Sequence, residues 1–222
     1  MEWTALWLSL KLASGTAAVL LPIGVGIGRI LAYQRFRGRS VVEATLALPL
    51  VLPPTVLGFY LLSAFGGQSP LGRAWSLLVG GPLAFSFQGL LLASVIANIP
   101  FAIQPMQRGF EAIPLDVREA GACAGLSNWA MFWRIELPLA WPGIVTGLVL
   151  TFAHTMGEFG VVLMVGGSIP GETRTAAIAI YDRVQAFDTV SAGTMSALLL
   201  MLSLLALGVI YTLSARVGRR HG

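Results

Sequence analysis

The chain has 222 residues, of which 56% are hydrophobic and only 11% are charged. Because soluble domains carry about 25% charged residues, this composition excludes a domain that faces water on all sides and indicates a chain solvated by lipid. The net charge of +4 comes from 14 basic and 10 acidic residues, and the basic residues gather at the ends of apolar runs, which is typical of membrane orientation and not of nucleic-acid binding.

Five apolar runs of about 20 residues or more are long enough to cross a bilayer as helices. They cover residues 3–31, 42–65, 83–106, 139–165 and 190–215. The first run lacks the basic leader of a signal peptide, so we expect it to be retained as a span. No Ser/Gly tract or charge block separates the runs. The sequence therefore predicts one domain over residues 1–222, an all-α polytopic transmembrane helical bundle of five spans.

Arginine placement predicts which way the chain faces. One set of connections holds ten arginines, namely Arg29, Arg35, Arg37, Arg39, Arg108, Arg118, Arg134, Arg216, Arg219 and Arg220. The opposite set holds Arg73, Arg174 and Arg183. Because cytoplasmic loops carry the excess of basic residues, we expect the ten-arginine side in the cytoplasm. The N-terminus is then outside a cell (inner) membrane and the C-terminus inside.

Prolines interrupt the predicted spans. They are Pro22, Pro49, Pro53, Pro54, Pro100, Pro105 and Pro142. Proline frees a backbone carbonyl that lipid cannot satisfy, so breaks are expected where other helices or a water-filled path cover them. Two pairs of small residues four apart, Gly24 with Gly28 and Gly143 with Gly147, favour close contact between helices.

The stretch 107–138 is the longest predicted cytoplasmic segment and is patterned differently. Asp116 and Glu119 have the spacing of a capping box after Pro114, which predicts the start of a short helix. Gly125 suits the left-handed end of that helix, and Ser127 or Asn128 can cap a second one. We expect Pro138 to close the second helix. On spacing alone, a surface elbow without a partner is as plausible as a docking element.

The residues of this segment resemble the EAA loop of ABC-importer permeases, whose pattern is E-A-A, three residues, G, nine residues, I-x-L-P. The matching positions are Glu119, Ala120, Gly121, Gly125, Ile135, Leu137 and Pro138. Only Gly121 departs from the pattern, and it stands where the family has Ala. The resemblance implies the type I ABC-importer permease architecture, with a loop that docks into a groove on a separate ATPase subunit.

That resemblance also implies the partners. They are a second copy of the chain, a dimer of ABC ATPase subunits on the cytoplasmic side and an extracytoplasmic oxyanion-binding protein. This chain itself is expected to hold no cofactor, and ATP with Mg²⁺ belongs to the ATPase. The only lysine is Lys11, which lies between Leu10 and Leu12, so the sequence has no Gly-Lys-Ser/Thr phosphate loop of its own.

Four further segments resemble molybdate permeases: 37–43 and 48–58 at the second span, Gly-Glu-Phe-Gly at 157–160, and Ile-Pro-Gly-Glu-Thr-Arg-Thr at 169–175. Sulfate permeases share the first three only loosely. The resemblance implies translocation of molybdate or tungstate, with sulfate, thiosulfate or another oxyanion as the alternative. His154 departs from the pattern, because many relatives have an Arg three residues before the Gly-Glu-Phe-Gly segment.

Glu158 is an acid deep in the fourth run, where a charge costs about 2.5–3.5 kcal/mol on insertion scales, so we expect it to face the bundle interior. It could fix helix packing, belong to a pathway or gate, or carry a proton. His154, one turn earlier, could bond to it. The candidate pathway or gate residues are Pro53, Thr55, His154, Gly157, Glu158 and Phe159.

The predicted outer side carries Arg73 and the 169–175 loop, where a binding protein is expected to dock. Within that loop, Glu172 and Arg174 could pair with each other or contact the partner.

Two other classes of function fit the sequence poorly. An enzyme is disfavoured because His154 and His221 form no metal motif and no Gly-x-Ser-x-Gly occurs. A channel would lack filter-like repeats and rings of charge.

Overall fold

The computed structural model describes residues 2–218, and beyond residue 205 it describes the backbone together with the surroundings of residues 208 and 212. The described residues form helices and connections without a strand. The helices are α1 Trp3–Tyr33, α2 Arg39–Val51, α3 Pro54–Phe65, α4 Pro70–Val79, α5 Phe87–Glu111, α6 Leu115–Cys123, α7 Asn128–Met131, a π turn Phe132–Glu136, α8 Leu137–Gly157, α9 Gly160–Gly166, α10 Ala176–Gln185 and α11 Thr189–Gly218.

Helix α5 lies between α1 and α8, and glycines set the distance on both sides. A β-carbon added to Gly28 on α1 would lie 2.9 Å from the backbone nitrogen of Gln107 on α5. One added to Gly147 on α8 would lie 2.8 Å from the carbonyl oxygen of Ala102. In lipid, where apolar burial drives helix association weakly, such close backbone approach supplies much of the packing energy. The predicted role of the two glycine pairs in close helix contact is confirmed.

Hydroxyl groups join the same three helices at their buried faces. Thr16 of α1 donates to Ser94 Oγ of α5 at 2.9 Å, and Ser94 donates to Thr155 of α8 at 3.5 Å. All three side chains are buried. Hydrogen bonds between membrane helices contribute about 0.6 kcal/mol each on average, so this chain of hydroxyls specifies the register of α1, α5 and α8 more than it stabilises them.

Most of the prolines do not interrupt a helix, contrary to the prediction from the sequence. Pro22 lies inside the continuous α1, Pro100 and Pro105 inside α5, and Pro142 inside α8. Only the Pro53–Pro54 pair ends one helix and starts another, where α2 and α3 meet at 108°. Two successive residues without an N–H remove two intrahelical hydrogen bonds, which one proline in a packed helix does not.

The fourth predicted span is not one continuous helix. Helix α8 ends at Gly157, Glu158 and Phe159 are not helical, and α9 begins at Gly160. No proline marks this break. Glycines on both sides of the two residues lower the cost of leaving the helix, because glycine gains the most backbone freedom there.

Three helices of the described chain are long and apolar enough to cross a membrane, Trp3–Tyr33, Phe87–Glu111 and Asn128–Gly157, and the bent pair α2–α3 raises the number to four. The fifth predicted span coincides with α11, whose side chains are described mainly up to residue 205. The number five therefore stays a prediction. Arg219, Arg220 and His221 lie outside the described residues.

Candidate functional site

The segment 112–127 folds as a short helix and a turn between α5 and α7. Helix α6 follows Pro114, and Gly125 adopts φ +77°, in the left-handed region. The Ser127 hydroxyl accepts a hydrogen bond from the backbone N–H of Ala130 at 3.3 Å. The predictions that Gly125 ends the first helix in a left-handed conformation and that Ser127 caps the second are confirmed.

Two details of this segment differ from the prediction. Asp116 lies inside the first turn of α6 and accepts from the backbone N–H of Val117 at 3.0 Å, so it forms no capping box with Glu119. Pro138 does not close the second helix, because the chain stays helical from Asn128 to Gly157. A π turn at 132–136, in which the Leu137 N–H donates to the carbonyl of Phe132, joins α7 to α8 without a break.

The seven residues of the EAA pattern divide into an outer and an inner group. Those exposed to solvent are Glu119, Ala120, Gly125 and Pro138, and those turned toward the chain itself are Gly121, Ile135 and Leu137. A β-carbon on Gly121 would lie 2.7 Å from Met131 Cε and 2.9 Å from Ile135 Cδ1. The small side chain at 121 therefore allows α6 to approach α7 and the π turn within this chain, and the exposed group is what remains for a partner.

Sequence reasoning missed Glu136, which lies inside the same pattern at its variable position. Its side chain is fully buried and pairs with Arg29 at 2.5 Å and with Arg118 at 3.2 Å. The signal available in the sequence was an acid between Ile135 and Leu137 in a stretch otherwise rich in apolar residues. Its partners are 107 and 18 residues away, and spacing alone does not reveal them.

The two helix breaks face each other inside the bundle. A cavity of about 140 Å³ lies between them, lined by residues of both breaks and of α5: Pro49, Leu50, Leu52, Pro54, Leu57, Ala97, Phe101, His154, Glu158 and Val161. Of the six predicted pathway or gate residues, His154 and Glu158 line this cavity. The structure therefore brings the deep acid and its histidine to the point where the helices are interrupted.

Glu158 is 7% exposed and fixes the second break. Its carboxylate accepts from the backbone N–H of Val161 at 3.3 Å, so it caps the start of α9. Its other oxygen lies 3.6 Å from His154 Nδ1, an ion-pair distance rather than a hydrogen bond. The expectation that Glu158 faces the bundle interior is confirmed, and its hydrogen bond is local to the helix break.

His154 is held by α5 as well as by its own helix. Its Nδ1 lies 3.1 Å from Asn98 Oδ1, and its ring stacks on Phe101 with centroids 4.0 Å apart. Asn98 Nδ2 donates to the carbonyl of Ser94 at 2.8 Å, which orients the amide. The two groups near His154 Nδ1 are the Asn98 amide oxygen and the Glu158 carboxylate. Because both are acceptors, we place the imidazole proton on Nδ1.

The other four candidates lie away from the cavity wall. Pro53, Thr55 and Gly157 are exposed. The Phe159 ring points to Tyr181, with centroids 4.9 Å apart, and packs on the core around Leu90 and Val162. The six residues come from two separate segments of the chain, 53–55 and 154–159, and they do not form one surface within a single copy.

The end of the bundle opposite segment 112–127 carries a network of ion pairs. Arg174 contacts Glu2 at 3.7 Å and Asp182 at 3.4 Å, and Arg183 contacts Glu2 at 2.9 Å and Asp188 at 3.3 Å. Hydrogen bonds from Ser191 hold the pKa of Asp188 below its ordinary value, so this acid stays ionised at neutral pH. Both arginines are neutralised within the chain.

That network rules out one of the two alternatives for Arg174, the ion pair within the loop. Its ion pairs are with Glu2 and Asp182, and Glu172 is exposed at the surface of the loop. The loop ion pair between Glu172 and Arg174 is therefore not formed.

Comparison with known proteins places this geometry among membrane transport components. The profile of the family described as "Binding-protein-dependent transport system inner membrane component" matches residues 24–219. The chain is similar to the molybdenum transport system permease protein ModB of Azotobacter vinelandii, with 45% identity over 211 residues that cover 95% of this chain and 93% of that protein. ModB of Escherichia coli (strain K12) is 36% identical over 184 residues, which cover 83% of this chain and 80% of that protein.

Similarity to a sulfate transporter is lower. The sulfate transport system permease protein CysT of Escherichia coli (strain K12) is 32% identical over 197 residues, which cover 89% of this chain and 71% of that protein. Among solved structures, the fold matches a chain in the crystal structure of a bacterial alginate ABC transporter in complex with an alginate pentasaccharide-bound periplasmic protein. The TM-score is 0.76 at 16% identity, covering 96% of this chain and 78% of that chain.

Proposed function

This chain belongs to the binding-protein-dependent transport system inner membrane component family, and from that premise we propose that it is the permease subunit of an ABC importer that carries molybdate or tungstate into the cytoplasm. The observation that carries the substrate is the 45% identity to a molybdenum permease across 95% of the chain. Sulfate or thiosulfate is the second candidate, supported by the weaker similarity to a sulfate permease.

The chain is a multi-pass protein of the inner membrane and a transport subunit, not an enzyme. Its source of free energy is then ATP hydrolysis, with Mg²⁺, on a dimer of separate ATPase subunits. An extracytoplasmic oxyanion-binding protein delivers the substrate. We place the N-terminus outside and the C-terminus inside, on the strength of the arginine asymmetry in the sequence.

The docking surface for the ATPase is the exposed face of the α6 turn. Glu119 and Ala120 supply that face, Gly125 shapes the turn that follows it, and Pro138 lies exposed where α8 begins. Gly121, Ile135 and Leu137 act from behind by fixing α6 against the rest of the chain. We assign residues 107–138 to coupling on this basis. The range begins near the end of α5 and ends at the start of α8.

The pathway runs past the two helix breaks. Because Pro53 and Pro54 lack N–H groups, the carbonyls of Pro49 and Leu50 have no intrahelical donor, and lipid cannot provide one. A water-filled path or a second copy of the chain therefore covers this side. Thr55 is exposed there and offers a hydroxyl, as expected if a homodimer encloses the pathway along this face.

Weak binding along this path follows from its charges. Glu158 repels a dianion, and two of the three outer arginines, Arg174 and Arg183, are already paired with acids. Holding a dianion tightly in a low-dielectric site requires paired charge or several donors. The permease then lets the anion pass without trapping it, and the binding protein supplies the affinity and the choice between oxyanions.

Vesicles reconstituted with the permease, its ATPase and its binding protein test the proposal. We expect uptake of radiolabelled molybdate that requires ATP, the ATPase and the binding protein together. Uptake of sulfate with molybdate excluded would favour the second candidate, and uptake independent of ATP would contradict both.

A further inference from the structure

One carboxylate, that of Glu136, lies where three helical segments meet. It accepts hydrogen bonds from Arg29 Nε on α1 at 2.5 Å and from Arg118 Nε on α6 at 3.2 Å. Glu136 is itself the last residue of the π turn that leads into α8. Its side chain is fully buried, whereas the arginines are about one-third exposed. A single acidic side chain therefore ties α1, α6 and α8 together.

Arg118 is also held by the ends of α1 and α5. Its guanidinium lies 3.6 Å from the centroid of the Tyr33 ring, at the last residue of α1. The Tyr33 hydroxyl donates to the carbonyl of Phe110, near the end of α5, at 3.0 Å. Arg118 thus connects α6 to the π turn directly and to α1 and α5 through Tyr33. These contacts fix the position of the exposed face of α6.

The number of arginines distinguishes a tie from a simple neutralised charge. A buried carboxylate needs a well-placed cation to neutralise it and further hydrogen bonds to its remaining lone pairs. Glu136 has two cations, and they come from different helices. The π turn, a feature frequent at functional sites, aims the carboxylate between them. If neutralisation were the sole requirement, either Arg29 or Arg118 alone would satisfy it.

We propose that Glu136 is a positioning residue that transmits the movement of α6 to α1 and α8 during transport. This inference rests on the proposed function, in which α6 carries the face that docks on the ATPase. A shift of α6 displaces Arg118, and Glu136 passes the displacement to the base of α8. The far end of α8 carries His154, roughly 27 Å from Glu136 at 1.5 Å per residue, and Glu158 follows directly after that end.

The test removes the two ion pairs of Glu136 one at a time. Arg118→Gln leaves the Arg29–Glu136 pair, and Arg29→Gln leaves the Arg118–Glu136 pair, so the buried charge stays neutralised in both variants. We expect both to assemble with the ATPase and to hydrolyse ATP, while the number of anions taken up per ATP hydrolysed falls about tenfold. Arg118→Lys, which keeps the charge, should recover part of the loss.

Arg39→Gln is the matched control. Arg39 forms partly exposed ion pairs with Glu43 and Glu111 at the same end of the bundle, and neither of these partners is Glu136. Its anion-to-ATP ratio should equal that of the wild type. A wild-type ratio in both Arg118→Gln and Arg29→Gln would show that Glu136 is only a neutralised buried charge, and the proposal would be wrong.

A second measurement separates this inference from the proposed function. Hydrogen exchange on the purified permease needs neither anion nor ATPase. Arg118→Gln should exchange amide protons faster in Leu115–Cys123 than the wild type, with exchange along Leu137–Gly157 unchanged. Arg29→Gln keeps the Arg118–Glu136 pair and should exchange in α6 at the wild-type rate. Wild-type exchange in α6 of Arg118→Gln would overturn the tie. A wild-type complex that transports no oxyanion would contradict the proposed function instead, and the exchange result would stand on its own.

Discussion

Gly160 and Pro54 hold the two helix breaks in direct contact: a β-carbon added to Gly160 would lie 2.7 Å from the Cβ of Pro54. That separation is well inside van der Waals contact, so a glycine at 160 is what allows α9 to begin against the start of α3. Pro54 and the next residue of α9, Val161, both line the cavity that contains His154 and Glu158. The shape of this cavity therefore depends on the contact between the breaks.

Enlarging Gly160 should force the breaks apart. We expect Gly160→Ala to lower the stability of the permease by about 1–3 kcal/mol, the usual cost of overpacking, and to reduce uptake. Gly26→Ala is the matched control, because Gly26 lies inside α1 and a β-carbon there meets no atom within 4 Å. Thermal unfolding in detergent, followed by uptake in vesicles, measures both effects. Equal behaviour of the two variants would contradict a functional contact between the breaks.

Two substitutions of Glu158 distinguish its hydrogen bond at the helix break from its charge. Glu158→Gln keeps an oxygen that accepts from the Val161 N–H, so its stability should stay near that of the wild type. Glu158→Ala removes the cap and should cost about 0.5–2 kcal/mol. If charge at this position matters for transport, Gln and Ala reduce uptake equally despite their different stabilities. Uptake that follows stability in both variants would assign Glu158 to helix structure alone.

Much of the fold is predictable from the sequence because lipid imposes a strong rule on it. Long apolar runs such as Trp3–Tyr33 and Phe87–Glu111 must be helical to satisfy their backbones. Single prolines misled the prediction, since helix packing absorbs one missing hydrogen bond in α1, α5 and α8. The break at Glu158 and Phe159 was missed because glycine permits a helix to end without requiring it.

The candidate site was predictable where the signal is local. Gly125 and Ser127 act on their own backbone, and their types reveal those roles. Glu136 acts on Arg29, 107 residues away, and no local pattern encodes that distance. The predicted capping box failed for a related reason: Pro114 already fixes where α6 begins, which leaves Asp116 inside the first turn.

Position 125 should tolerate a substitution according to how readily the new residue adopts the left-handed backbone conformation. Gly125→Leu should cost about 1–2 kcal/mol and reduce ATP-dependent uptake, whereas Gly125→Asn should be milder because Asn adopts this conformation more readily. A β-carbon at 125 meets open space within the chain, so the strain is in the backbone. The membrane content of each variant must be matched before uptake is compared. Equal uptake by the Leu variant would show that the turn is not needed.

Glu119 should matter for binding the ATPase and little for the fold. Its side chain is exposed, and among the described residues no ion pair involves it. Glu119→Lys should leave the permease inserted but lower the amount of ATPase that co-purifies with it. Glu172→Lys reverses an exposed charge at the opposite end of the bundle and should not lower the amount of co-purified ATPase. Full co-purification with Glu119→Lys would remove α6 from the docking surface.

Cys123, the only cysteine, reports the orientation directly. Its thiol is exposed at the end of α6. A membrane-impermeant maleimide should label it in inverted vesicles and not in intact cells, and bound ATPase should shield it. Labelling in intact cells would reverse the orientation proposed from the arginines.

In the proposed mechanism, this permease carries molybdate as one part of a complex whose selectivity lies in the binding protein. Isothermal titration of molybdate into the purified permease, run beside uptake assays with the ATPase and binding protein present, measures how the affinity is divided between them. We expect no binding tighter than about millimolar by the permease alone, an affinity of roughly 4 kcal/mol, together with ATP-dependent uptake of molybdate and tungstate and poor uptake of sulfate. Micromolar or tighter binding by the permease, or efficient sulfate uptake with molybdate excluded, would contradict this mechanism.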